Sequence, residues 1–470
     1  MTTTEEPARS EDVQTLPSRF ERPPWPPAGP RRLIGDLGGT YAANGLIGLI
    51  FSATGPVAVI LAAGSAGGLS PQQMASWIFG VFFLNGILTA VASWLYRQPL
   101  AFFWTIPGTI IVGGSLTHLS WPEVLGAFLV TGLLILALGL TGRVRQVMAM
   151  LPMPIVMAMV AGVFLKFGTD LVHAVGTDAA VAVPMVVVFV VLASRAAFGR
   201  WMPPILGALL VGAAAVAVTG RFHPTGSSTP WIAAPMFQAP QFTWQAITEL
   251  VVPLAITVIV VQNGQGAAVL TSAGHKPPMN VGTALCGVWS LATSVVGAVS
   301  TCLTGPTNAL LVASGQRTRQ YTAAVVCGLL AMVVGLFAPL FVQLMLATPV
   351  AFVATLGGLA MLRALQGSFV AAFSSRHTLG ALVTFLVTVS NVQFLNVGAA
   401  FWGLIAGLLV SRVMESGDFR KRLSVTVSVA TIVGRPGADR RVPGSPSPAA
   451  SAPAGSAAAR SRRPRSRRPD

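Results

Sequence analysis

Long apolar runs, separated by short polar punctuation, fill the chain from residue 37 to residue 412. Cuts fall near 37–62, 74–96, 102–118, 122–142, 152–172, 180–198, 203–220, 247–271, 281–300, 304–315, 321–346, 349–371, 375–392 and 395–412. Most are long enough to cross a hydrocarbon core of about 30 Å as a helix. The pattern predicts an all-α polytopic membrane protein with about fourteen transmembrane segments. Segments three (102–118) and ten (304–315) are too short for ordinary spans, and each carries a Pro beside a Gly. Residues 1–32 read as a polar, Pro-rich lead that is disordered or lies on the surface, with no signal-peptide pattern. Residues 413–470 read as a tail, low in complexity from 442 onward and unable to fold a core.

Composition sharpens this reading. Of 470 residues, 53% are hydrophobic and 9% charged, against about 25% charged in soluble domains. Such a chain cannot coat a water-exposed surface, which excludes disorder, a disulfide scaffold and nearly all soluble enzymes. The formal charge is +16, but it is carried unevenly. Residues 412–470 hold thirteen basic and four acidic groups, whereas the 379 residues of 33–411 hold twelve and five. With the N-terminus placed in the cytoplasm, Arg97, Arg143, Arg145, Arg195, Arg200, Lys276, Arg317, Arg319, Arg376 and Arg412 all fall on the cytoplasmic side. Arg221 is the exception. Both termini are therefore expected inside, and removing either short segment would invert the loops that follow it. Cys286, Cys302 and Cys327 lie in apolar stretches without ligand spacing and read as packing residues.

The two short segments carry the chemistry. FFWTIPGTIIVGGSLTHL and STCLTGPTNALLVASG each run from apolar chain through Pro beside Gly into a further apolar run. Proline suits a helix's first turn, so Pro107 and Pro306 are expected to start half-helices after non-helical approaches. Broken backbone at membrane depth persists only inside protein or along a cavity. A weaker echo places Asn44-Gly45 in segment one and Asn263-Gly264 in segment eight. Seven segments separate them, so the two copies would have opposite orientations, as in transporters built from inverted repeats.

Facing half-helix N-termini offer N–H groups and positive dipole ends to an anion. Around them the sequence places Thr105, Pro107, Gly108, Thr109, Thr304, Gly305, Pro306, Thr307 and Asn308. Neighbouring helices add Asn44, Gln262, Asn263 and Gln265; Tyr41, Phe102, Phe103 and Trp104 are candidates for aromatic wall. The mixture suits a small, partly apolar anion. Each threonine has a plainer role, hydrogen bonding to its own helix, and small-residue spacing serves helix packing alone. Glu249 falls at the start of segment eight, and Asp36, Glu123, Asp170 and Asp178 fall near segment ends, so no midplane carboxylate relay is visible. Lys166 and Asp170, four residues apart, are expected to pair. His118, beside Glu123, can titrate near neutrality.

These stretches resemble the BenE-like benzoate/proton symporters of bacterial inner membranes. LGGTYAANGLIGLIFSATGPVAVILAAG, LPMPIVMAMVAGVFLKFG and NGQGAAVLTSAGHKPPMN carry the resemblance along with the two broken segments, across roughly 32–412. It implies the fold of uracil/xanthine permeases and sulfate/bicarbonate transporters, with seven plus seven inverted segments. A core (about 33–142 and 247–346) would move against a gate (about 152–220 and 349–412) within a transporter domain of 33–412. The substrate would lie between the breaks, and many relatives are elevator-like dimers. Nucleobase permeases carry glutamates in segments eight and ten where this chain has Gln262/Asn263 and Thr307/Asn308. That favours a substrate already anionic, and leaves Glu123, Asp36, His118 or the substrate's own carboxylate to carry the proton.

The expected partners are benzoate or a similar aromatic carboxylate, protons, membrane lipid and a second copy of the chain, with no cofactor, metal or nucleic acid. The competing readings are a carrier or exchanger for another small anion or a nucleobase, an anion channel, and a membrane enzyme, for which no nucleophile–His–acid pattern is present. For the basic tail, solubilising or fixing topology, or binding anionic lipid, fits better than binding nucleic acid.

Overall fold

A computed structural model describes residues 20–194, 202–223, 230–374, 376–392, 394 and 399–418. Arg195, Arg200 and the basic tail from residue 419 lie outside the described residues.

Helices are numbered by the apolar run that contains them: α1 (Gly39–Ala66), α2 (Pro71–Tyr96), α3 (Ile106–Ser115), α4 (Trp121–Thr141), α5 (Met153–Thr177), α6 (Ala179–Ser194) and α7 (Pro204–Val218). The second set is α8 (Trp244–Ser272), α9 (Met279–Ser294), α10 (Gly305–Leu311), α11 (Tyr321–Leu336, continued by Ala338–Leu346), α12 (Val350–Phe373), α13 (Thr378–Ser390) and α14 (Ala399–Met414). Seven of the described helices are long and apolar enough to cross a membrane, and five more are apolar with 10–17 residues. Short helices at Pro30–Asp36 and Val144–Met150 stay unnumbered.

Local chemistry fixes the ends. Ser70 and Gln73 form a capping box ahead of α2, reciprocally satisfying two otherwise orphaned donors. Ahead of α4, Glu123 Oε2 accepts from the backbone N–H and hydroxyl of Ser120 at 2.8 and 2.7 Å. Two stretches of α8, Ile247–Val251 and Thr257–Gln262, are wound as π-helix, a form frequent at functional positions.

The helices pack in two families of partners. α4 lies on α9, and α11 lies on α1 and α2; α5 lies on α12 and α13, α13 on α14, and α6 on α7. Gly86 and Gly328 bring α2 and α11 together so closely that a Cβ on either would stand 2.6 Å from the other's carbonyl oxygen. Phe82, Phe103 and Trp104 form an edge-to-face cluster with ring centroids 5.2–6.1 Å apart.

Two further features refine the sequence reading. The lead is tied down from residue 20 onward: Trp94 Nε1 donates to Ala28 O at 2.7 Å, and Glu21 accepts from the N–H groups of Asn280 and Val281. Arg221, the exception to the charge bias, forms an ion pair with Asp178. The expected Lys166–Asp170 pair is present at 3.0 Å.

Candidate functional site

The two breaks meet each other. Phe102–Trp104 (β1) and Thr301–Leu303 (β2) pair antiparallel, with Phe102 opposite Leu303 and Trp104 opposite Thr301. Thr105 N–H continues the ladder to Ser300 O at 3.1 Å, and Thr304 N–H reaches Ala101 O at 3.0 Å. Each strand then turns directly into a half-helix, α3 or α10, with Pro107 or Pro306 in its first turn. Pro107 and Pro306, 199 positions apart, thus follow strands of one buried structure, because each short strand has main-chain groups satisfied by the other.

Segment interiors satisfy the outer strand edges. Thr89 Oγ1 accepts from Phe102 N–H at 2.9 Å and donates to Phe102 O at 2.8 Å, and Ser93 does the same for Leu100. Ser290 Oγ accepts from Thr301 N–H. Asn263 Oδ1 accepts from Leu303 N–H at 2.7 Å, while its amide donates to Thr283. Asn308 Oδ1 accepts from Ala101 N–H at 2.9 Å, and its amide donates to Thr304 O at 2.6 Å. Asn263 and Asn308 therefore brace the strands, with their amide atoms already committed to protein partners.

The other sequence candidates divide by position. Thr105 caps α3, accepting from Gly108 N–H and donating to Thr257 Oγ1 at 2.9 Å. Thr109 bonds back to Thr105 O, the plainer role for a helical threonine. Thr307 contacts Ser52 Oγ at 3.1 Å, and Thr304 has no side-chain capping bond. Gln265 is exposed beside Gly305, where a Cβ would come within 2.7 Å of it. Phe103 belongs to the buried aromatic cluster. Tyr41 and Asn44 face the loop after α10 instead: Tyr41 hydroxyl accepts from Gln316 N–H at 2.9 Å, and Asn44 exchanges hydrogen bonds with Ser314. Trp104 Nε1, Gln262 Oε1 and Ser300 Oγ are buried without a hydrogen-bond partner. Buried polar atoms in that state call for a ligand, ion or water.

The proton candidates also sort themselves. Glu123 closes the turn before α4, and Asp36 accepts from Tyr321 hydroxyl at 2.8 Å and pairs with Arg32. His118 Nε2 lies 2.9 Å from Glu249 Oε2, and Ser115 Oγ donates to Glu249 Oε1. The expectation that segment eight holds no interior carboxylate is corrected. Its helix starts at Trp244, so Glu249 lies in its second turn and is only 2% exposed.

Residues 39–413 match the family described as BenE, benzoate membrane transport protein. The chain belongs to the BenE family. Over 367 residues it is 28% identical to the inner membrane protein YdcO of Escherichia coli (strain K12), covering 77% of this chain and 93% of YdcO. A benzoate membrane transport protein of Acinetobacter baylyi is 27% identical over 369 residues, covering 78% and 92% respectively. In fold, the chain resembles the transmembrane domain of the cyanobacterial bicarbonate transporter BicA, with a TM-score of 0.55 and 15% identity over 79% of this chain and 98% of that one. SLC26A9 gives a TM-score of 0.56 at 13% identity, covering 79% and 64%.

This BenE-family chain is therefore a multi-pass inner-membrane secondary transporter and not an enzyme. Among the described residues no group of His, Cys, Asp and Glu is arranged to hold a metal. Two cavities flank the paired breaks. One, of about 540 Å³, is lined by Ile110–Ser115 of α3, by Ala62–Ala66 of α1, and by α5, α13 and α14, with His118 and Glu249 in its wall. The other, of about 690 Å³, is basic, with Arg22, Arg97, Arg145, Lys276 and Arg317 in its lining. Neither lining includes Thr105 or Thr304, which are buried.

At one edge of the basic cavity, His275 Nε2 contacts Gln320 Oε1 at 2.8 Å. Burial lowers the His275 pKa, the Gln320 bond partly opposes this, and Arg317 lowers it further.

Proposed function

We propose that this BenE-family transporter imports benzoate or a closely similar aromatic carboxylate together with protons, across fourteen segments arranged as seven plus seven inverted copies. The pairing of the two broken segments carries the reading. It gives a buried, carboxylate-free junction in which Trp104 Nε1 and Ser300 Oγ remain as available donors at one end of the strand pair. Thr304 Oγ, not engaged in capping, lies at the other end, where Thr304 N–H meets Ala101 O. Such groups suit a carboxylate without a buried cation, and the Phe82–Phe103–Trp104 cluster supplies apolar wall for the ring.

In this reading α1–α4 and α8–α11 form the core and α5–α7 and α12–α14 the gate, which the two families of packing partners support. The 540 Å³ cavity, shared by α1 and α3 with α5, α13 and α14, is the outer approach, and the basic cavity faces the cytoplasm with both termini. The wall of the 540 Å³ cavity on α3 begins at Ile110, about 7 Å of helix from Thr105. Core and gate then slide past one another, elevator-like, within a homodimer.

The test is uptake of labelled benzoate into proteoliposomes with an imposed inward proton gradient. Saturable accumulation, competed by substituted benzoates but not by uracil or sulfate, is the expected result. Active reconstituted protein that never accumulates benzoate would sink the proposal.

A further inference from the structure

The Glu249 carboxyl is 2% exposed on α8 and joins two other parts of the chain. Ser115, the last residue of half-helix α3, donates to its Oε1; His118, in the turn that follows, meets its Oε2 at 2.9 Å. His118 and Glu249 both line the 540 Å³ cavity, so water reaches them from one side.

The hydrogen-bond network holds the pair in place. Thr117 Oγ1 donates to Gly114 O at 2.8 Å and lies 3.3 Å from His118 Nδ1. Ser115 likewise gives its hydrogen to Oε1. The Nε2–Oε2 contact can take up one further proton. With it present the contact is an ion pair or its neutral tautomer, charge-balanced either way. With it gone, a neutral imidazole can hold the carboxylate only through its Nε2–H tautomer, and the pair carries one negative charge.

The neighbouring charges leave this pair distinct. On α5, Lys166 and Asp170 line the same cavity but pair with each other at 3.0 Å. On α4, Glu123 lies close enough to interact electrostatically with His118, and its carboxylate is bonded to Ser120. The linings from α1, α13 and α14 contribute Ala62, Ala63, Ala66, Thr388, Val389, Asn391, Ala399, Ala400 and Phe401, all uncharged.

We infer that His118 and Glu249 form the proton-binding site of this transporter, loaded from the cavity and released when the α3 turn separates from α8. A hydronium ion in the cavity transfers its proton to the Nε2–Oε2 contact and leaves as water. The site passes from one negative charge to neutral, so one proton accompanies one monoanionic carboxylate. This inference rests on the reading of proton-driven uptake.

The experiment uses the full chain in proteoliposomes with two readouts: benzoate accumulation under an inward proton gradient, and exchange of labelled for unlabelled benzoate at equal pH. Wild-type protein is expected to do both. Glu249→Gln and His118→Gln are expected to lose accumulation down to the level of protein-free liposomes while exchange persists, and Glu249→Asp to recover part of the accumulation. Glu249→Gln that accumulates benzoate as wild type does would overturn the inference. So would loss of both readouts in monodisperse Glu249→Gln protein, which assigns Glu249 to packing. Wild-type protein that exchanges but ignores the gradient would instead overturn the proton-driven reading itself, whatever the variants do.

Discussion

At the first break the outer strand edge is held by hydroxyls, those of Thr89 and Ser93; at the second it is held by one hydroxyl, that of Ser290, and one amide, that of Asn263. Asn263 grips β2 from α8, and Asn308 reaches from α10 across to Ala101 before β1. The Asn-Gly echo would predict that Asn44 does for the first break what Asn263 does for the second. Asn44 instead bonds Ser314, beyond the second half-helix. The caps differ as well. Thr105 closes the start of α3, whereas Thr304 leaves the start of α10 without a side-chain cap. The two halves therefore share the position of the break but not its bracing, and the second break retains the uncommitted hydroxyl.

The largest expected effect comes from breaking the shared amide. Asn308→Leu leaves the buried Ala101 N–H unsatisfied and removes one of the two hydrogen bonds to the Thr304 carbonyl, a loss of about 2–4 kcal/mol. Thermal unfolding in detergent should show a lower midpoint, with uptake lost. Thr89→Val strips Phe102 of both partners and should cost about 1–3 kcal/mol. Equal losses for Asn263→Leu and its echo partner Asn44→Leu would contradict the asymmetry.

Caps sharpen the comparison further. Thr105→Val should destabilise by about 1 kcal/mol, the usual worth of a lost N-cap. Thr304→Val has no cap to lose; its unfolding midpoint should stay within error while the benzoate KM rises. A stability loss for Thr304→Val matching that of Thr105→Val would remove the distinction between the two ends.

The smallest effect concerns pH. Because burial holds His275 below its ordinary value of 6.5, the neutral ring is the folded form. Its contribution is complete above that value and is lost as pH falls toward the depressed one, where the unfolded chain binds more protons. The unfolding midpoint of wild-type protein should therefore drop between about pH 7.5 and about pH 5.5 more than that of His275→Gln. Identical drops would deny His275 this role.

Much of the architecture was legible because proline and charge leave local signatures. Pro107 and Pro306 marked the two half-helix starts, and the apolar runs marked the helices to within a few residues. What stayed hidden depended on distant partners. A three-residue strand has no periodicity to read, and β1 and β2 find each other across nearly two hundred residues. Thr89, Ser93 and Ser290 look like any intramembrane hydroxyl until the strand edge they satisfy is in place. Asn263 and Asn308 read as ligands because a buried amide needs partners; here backbone fills that need. Glu249 was missed for a local reason. Thr243 caps a helix that starts at Trp244, three residues ahead of the apolar run at 247, and that shift carries the carboxylate from the edge into the buried wall.

The central claim is that an aromatic carboxylate binds where the two breaks meet. Cryo-EM of the full chain with benzoate tests it most directly. The account predicts density for the carboxylate within hydrogen-bonding distance of Trp104 Nε1 and Ser300 Oγ at one end of the strand pair, or of Thr304 Oγ at the other. Benzoate resolved only in the basic cavity or on the lipid-facing surface, with the junction of β1 and β2 unchanged and closed, would contradict it.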